Sequence, residues 1–207
     1  MANIDRPCGF RPWGELLRSR LYAVPTAPTI NVCVGDIVMA DVTGISSGKL
    51  GAVMAVEDDQ VIATTTGDDF SLIGVVLACF DEDMDPYANA PSGYIAAGEV
   101  GDATVAGYVL VADHPDQQFV AQADGAITAA NMDLNHEITS ATLSAPNSVT
   151  GISTQEIASA GSAVTSTIPI RLYAQAYPLE DVITAAGCRW ICQINPLCHL
   201  FGTGTTI

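Results

Sequence analysis

The chain is short of positive charge: seven Lys and Arg stand against 23 Asp and Glu in 207 residues, a formal net charge of −16. Phosphate backbones repel a polyanion of that strength, which argues against nucleic acid as a general partner. Charge of either sign is scarce, at 14% of residues against about 25% in soluble domains. Long apolar runs are missing too. The longest, Leu72–Phe80, falls far below the ~20 residues of a spanning helix, and the opening MANIDRPCGF has no apolar stretch of a secretory signal. The expectation is a protein that stays in the cytoplasm where it is made, with no membrane partner. Ser-His-Asp order, a GxSxG elbow, a phosphate loop and a GxGxxG fingerprint are all lacking, so no catalytic residue, reaction or cofactor is expected.

Metal chemistry is weakly signalled. The cysteines at 8, 33, 79, 188, 192 and 198 are spaced diffusely, which favours buried free thiols over a disulfide framework. Cys188, Cys192, Cys198 and His199 suggest zinc, but residues four apart on a strand lie ~13 Å from one another, too far to share an ion bound at ~2.3 Å. Asp81, Asp83 and Asp85 alternate as in calcium loops, yet Pro86 stands where the loop needs glycine and Ser92 where it needs glutamate. A solvated acidic turn is expected there. The pairs Asp58-Asp59 and Asp68-Asp69 read as solvated acids as well.

What is present is a β pattern. Residues 106–122, AGYVLVADHPDQQFVAQ, place two β-rich runs around Asp113-His114-Pro115-Asp116, which predicts a hairpin with the acids and His114 as turn chemistry. Short strands are expected at 32–34, 37–40, 53–56, 60–66, 72–80 and 93–97. Leu72–Phe80 is apolar on both faces, as in a strand buried on both sides or one lying at a subunit contact. In STIPIRLYAQA, 166–176, Ile168, Ile170, Leu172 and Ala174 alternate with polar neighbours, a half-buried strand with Pro169 near its start. One short helix is expected over 178–187, stopped by Gly187. In the last strand, 188–195, Cys188, Trp190, Cys192 and Ile194 share one apolar face with Trp190 as its anchor, and a tail follows Pro196. The fold class is all-β: a barrel or sandwich of short antiparallel strands with little helix.

Residues 1–30 differ in character. Prolines at 7, 12, 25 and 28 favour an extended arm, with a helical turn at most over 15–20. Four arginines fall in the first twenty residues of an acidic chain, and with Phe10, Trp13 and Tyr22 they equip the arm to dock on a partner. The equal alternative is that the arm straps the protein's own core. The β domain is 31–207, with a division into lobes 31–122 and 123–207 as the alternative.

Several stretches resemble the head decoration, or cement, proteins of tailed bacteriophages. ANIDRPCGFRPWGEL is similar to that family's Asn-x-x-x-Pro-x-Gly-Phe/Leu-Arg-Pro opening, YVLVADHPDQQFVAQ to its tyrosine strand, Asp-Pro-Asp turn and Phe strand, and Val34-Gly35-Asp36-Ile37-Val38, Ile73-Gly74-Val75-Val76 and Arg189-Trp190-Ile191-Cys192-Gln193-Ile194-Asn195 to later segments, all in order. The resemblance implies a structural virion protein on the outer face of an icosahedral head. Its partners would be the major capsid protein, whose neighbouring subunits it clamps and stabilises, and copies of itself, as a homo-oligomer with a trimer favoured. The candidates for the capsid interface are Arg6, Phe10, Arg11, Trp13, Arg18, Arg20 and Tyr22. Those for the oligomer interface are Leu72, Ile73, Val75, Val76, Leu77 and Phe80. Other readings are a tail or baseplate β module, a glycan-binding β module, and a β-barrel enzyme using the acidic turns.

Overall fold

The computed structural model describes Asn3, residues 7–28 and 31–40, the backbone of 53–55, and residues 72–86, 93–101, 105–132, 134–140, 150–159 and 168–201. The strand expected at 60–66, the acid pairs at 58–59 and 68–69, Ser92 and Arg6 lie outside the described residues. Those described are nearly all β, as the alternation predicts.

Two five-stranded antiparallel sheets carry the fold. One orders β1 (Arg11–Pro12), β7 (Gln118–Gln122), β12 (Arg189–Ile194), β11 (Ile170–Gln175) and β8 (Asn135–His136). The other orders β2 (Ser19–Pro25), β6 (Val105–Ala112), β5 (Leu72–Phe80), β3 (Ile37–Ala40) and β4 (Val53–Ala55), and a pair of β9 (Ile138–Ser140) and β10 (Gln155–Ile157) stands beside them. One 3₁₀ turn, Ala129–Asn131, is the helical element among the described residues.

The expected hairpin is a corner between sheets. β6 pairs with β2 and β5, and β7 pairs with β1 and β12, so both edges of each strand are occupied and none is left for the other. The N-terminal segment runs antiparallel along the whole path: Pro25 stands opposite Val105, Ser19 opposite Ala112, Pro12 opposite Phe119 and Arg11 opposite Val120. Residues expected to form an arm are thus woven into both sheets. The helical turn expected over 15–20 is absent, because the alternation of Tyr22 and Val24 with exposed Leu21 suits a strand buried on one face. Across the position 122/123, β7 and β12 are direct neighbours.

Alternation along the second sheet feeds two cores. Ile37, Val75 and Ala112 enter a cluster with Phe10, Phe119, Trp190, Cys192 and Ile194, while their neighbours Val38, Val76 and Val111 enter another with Tyr22, Val24, Val32 and Ile95. Leu72, Ile73, Val75 and Val76 are all 2% exposed or less within the single chain. They are corrected from subunit-contact candidates to core residues. Leu77 and Phe80 remain half-buried. The apolar face of Cys188, Trp190, Cys192 and Ile194 is buried as expected.

The first residues lock onto the C-terminal half. Asn3 donates from Nδ2 to the carbonyls of Val182 (2.9 Å) and Ala185 (3.3 Å), and its Oδ1 accepts from Val182 N–H (2.6 Å). With those groups engaged, 178–187 forms turns in place of the expected helix, which at that length nucleates poorly. Gly187 still takes its left-handed φ of +77°. The Trp13 ring meets Tyr177 edge-on at 5.7 Å, and the Arg189 guanidinium lies 3.9 Å above the same tyrosine while gripping Asp181 through Nε (2.9 Å) and Nη2 (2.8 Å). Arg189→Lys is expected to lower stability by about 1 kcal/mol in urea denaturation, because lysine has neither the two-pronged fork nor the planar face.

Gly9 and Gly35 meet where the N-terminal segment passes under β3. Gly9 sits at φ +65°, and a Cβ there would lie 2.5 Å from Gly35 O and 2.6 Å from Ser153 Cβ. The close approach places Phe10 N–H on Gly35 O at 2.8 Å and drives the Phe10 ring into the core.

Candidate functional site

The corner at the end of β6 gathers two arginines around one carboxylate. Asp113 follows the last residue of the strand and is fully buried. Opposite it on β2 and the residue before that strand, positions 18, 20 and 22 fall on one side by period two, so three donors converge on one carboxylate. Arg18 Nε donates to Oδ1 at 2.7 Å, Arg20 Nε and the Tyr22 hydroxyl (2.6 Å) donate to Oδ2, and Arg18 Nη2 donates to the Asp113 carbonyl at 2.7 Å. The turn beyond is pinned from three sides. Gln117 N–H donates to His114 O (3.0 Å), Leu17 N–H to the Gln117 side chain (2.9 Å), and Gln193 Nε2 to Pro115 O (2.6 Å).

The tail expected after Pro196 folds back onto this corner. Cys198 and His199 are buried, His199 bridges to Leu72, and the Phe201 ring lies 5.4 Å from the Arg18 guanidinium and 4.5 Å from that of Arg20. Residues 202–207 lie outside the described part of the chain.

Comparison with family models, curated proteins and solved structures returned no match for this chain. Its function is therefore argued from the residues.

The protonation states at the corner are set by its packing. Burial works to raise the Asp113 carboxyl, but the bonds from Tyr22, Arg18 and Arg20 outweigh it and hold it below the usual carboxylate range. Burial and the same carboxylate push the Tyr22 hydroxyl up, keeping it a donor. Burial pulls His199 down to about 4, with the Asp113 charge opposing and Arg18 reinforcing, so its imidazole is neutral at physiological pH. None of these groups is poised to exchange a proton near neutrality. What the arrangement offers is two guanidinium groups held in place at the surface, 37% and 46% exposed.

The expected site residues scatter. Arg18, Arg20 and Tyr22 come together; Trp13 meets Tyr177 edge-on; Arg11 is exposed on β1. Phe10 is 1% exposed and Tyr22 8%, so both are corrected from docking residues to core and hydrogen-bonding roles. Asp113 and Phe201 were not legible as site residues. The sole hint was the spacing of Arg18, Arg20 and Tyr22, which puts their side chains on one side of a strand.

No group of three or more His, Cys, Asp and Glu able to hold a metal occurs among the described residues. Asp81 Oδ1 accepts the amides of Asp83 (3.1 Å) and Asp85 (2.8 Å), the hydrogen-bonded acidic turn expected. Burial pushes the Cys198 thiol up to about 12 and Cys188 to about 11.

A second buried acid, Asp36, pairs with no cation among the described residues. Burial raises it to about 6, against the bonds it accepts from Ser153 and from Cys33 N–H at 2.7 Å. A carboxyl raised on folding contributes stability below its unfolded value of 3.8, and that contribution is lost as pH rises through about 6. His199 acts oppositely, losing stability as pH falls from 6.5 to about 4. Asp36→Asn should remove the first dependence alone. Urea denaturation from pH 4 to 8 is expected to show the variant gaining on the wild type with a slope of up to about 1.4 kcal/mol per pH unit inside that window; a pH-independent difference would refute it.

Proposed function

We propose that this protein is a non-catalytic decoration protein that binds the outer surface of a phage head and stabilises contacts between major capsid subunits. The observation that carries the reading is the fixed corner surface: Arg18 and Arg20 held by Asp113, with Leu16 and Leu17 beside them in the chain, 43% and 50% exposed. Arginine is enriched at interface hot spots, and a surface ordered before binding loses little entropy on docking. The ordered resemblance over the chain supports the same reading. So does the net charge of −16, which suits the outside of a DNA-filled shell better than its interior.

Self-association, trimers included, is part of the proposal and rests on Leu77 and Phe80, the two of the six oligomer-interface candidates that keep surface. Mass measurement in solution tests it. Attachment is tested by mixing the purified protein with heads that lack it and imaging the product. Saturable density on the outer head surface is expected; labelling on tail or baseplate, or no binding, would overturn the reading. Point changes serve this test better than deletion of 2–20, which removes Phe10 from the core and β1 from its sheet.

A further inference from the structure

The corner leaves part of its two guanidinium groups open to solvent. Arg18 engages Asp113 through Nε and Nη2, and Arg20 engages Asp113 through Nε and bonds Tyr22 as well, yet each keeps more than a third of its side-chain surface exposed. Two cations against one carboxylate leave an unneutralised positive charge on a strongly acidic chain. Arg189 differs, being matched by Asp181 and Glu180. An ordinary surface arginine gives up to ~2 kcal/mol of side-chain entropy when a ligand orders it. Here that ordering is already done by Asp113 beneath and by the Phe201 ring alongside at 5.4 and 4.5 Å.

We propose that Arg18 and Arg20 form a two-guanidinium receptor for a carboxylate side chain on an acidic, partly apolar segment of a partner protein, with exposed Leu16 and Leu17 taking the apolar neighbours. In naming the partner's chemistry the inference rests on the docking role proposed above. The guanidinium fork matches a planar carboxylate through paired N–H bonds. A nucleic acid would bring a row of phosphates against the acidic remainder of the chain, whereas one carboxylate meets the local positive charge within the ~8–10 Å over which salt lets it act. The two adjacent leucines offer apolar area that a free anion has no use for.

The test uses the full chain and two probes, acetyl-Leu-Glu-Leu-amide and its Gln counterpart, with the arginine Nε–Hε resonances followed by NMR. The Glu peptide is expected to shift the Arg18 and Arg20 signals saturably while Arg11 stays put, and the Gln peptide and inorganic phosphate at equal concentration to leave them unmoved. Arg20→Gln, which keeps a donor for Asp113, is expected to weaken the Glu peptide by about tenfold or more. An equal response to the Gln peptide or to phosphate, or undiminished binding by Arg20→Gln, would overturn the receptor. Should that variant fold poorly, peptide discrimination by the wild type decides alone. A wild type that distinguishes the peptides yet ignores phage heads would defeat the decoration role and leave the receptor standing.

Discussion

Asp113→Asn is expected to cost the fold about 2–3 kcal/mol at pH 7, measured by urea denaturation. Removing one partner of a buried, hydrogen-bonded charge cluster costs about 3–5 kcal/mol when the remaining charges stay dry. Arg18 and Arg20 are more than a third exposed, so water takes up part of the loss and brings the cost to the bottom of that range or just below it. What water cannot restore is the crossing itself. Asp113 ties three side chains of the N-terminal segment to the end of β6, where both paths leave one sheet for the other.

The pH dependence separates this account from a loss of packing. Asp113 is held below its usual value of 3.8, so its contribution is present above that pH and is lost as pH falls through the lowered value. The difference between wild type and Asp113→Asn should therefore shrink in acid. Tyr22→Phe, which removes one donor, is expected to cost about 1 kcal/mol in the wild type and less in the Asn background. A cost that is the same at pH 3 and pH 7, or fully additive with Tyr22→Phe, would place the effect elsewhere.

Trp190→Ala carries the other large expected effect, about 3–5 kcal/mol. Trp190 is the largest fully buried side chain and stands on β12 between β7 and β11, opposite Ala121 and Gln175. Its neighbours in the cluster are short strands closed on both sides by pairing, so the cavity left by truncation has little room to collapse. Trp190→Phe is expected to cost much less, about 1 kcal/mol. The indole Nε1 is buried with no hydrogen-bond partner among the described residues, so phenylalanine leaves no donor orphaned and removes one. Matching losses for Ala and Phe would mean that the indole N–H, rather than ring volume, matters at this position.

Much of the architecture was legible because burial leaves a local trace. The alternation in 188–195 and 166–176 placed Trp190, Cys192, Ile194, Ile170 and Leu172 on buried faces, and they are buried. The run Leu72–Phe80 correctly read as a strand with two apolar faces, but its second face packs in the same chain. A pattern of this kind reports that a face is covered. It does not report by what.

The candidate site was legible by halves. The arginines stood out as the positive segment of an acidic chain, but the carboxylate that fixes two of them lies 95 and 93 residues away, at a position that reads locally as turn chemistry. Phe201 belonged to a tail with no periodic signal. Both reach the arginines through the fold.

By itself the sequence determined that the chain would be β, that faces such as that of Trp190, Cys192 and Ile194 would be covered, and where it would turn, since each follows from side-chain period and from the conformations that Gly, Pro and Asp favour. Tertiary structure decided which strands are neighbours. Every strand offers the same N–H and C=O groups on both edges, so strand–Asp-His-Pro-Asp–strand suits a hairpin or a corner equally well. The choice fell to the corner because β2 and β5 fill the edges of β6, β1 and β12 fill those of β7, and the N-terminal segment follows the path between the sheets.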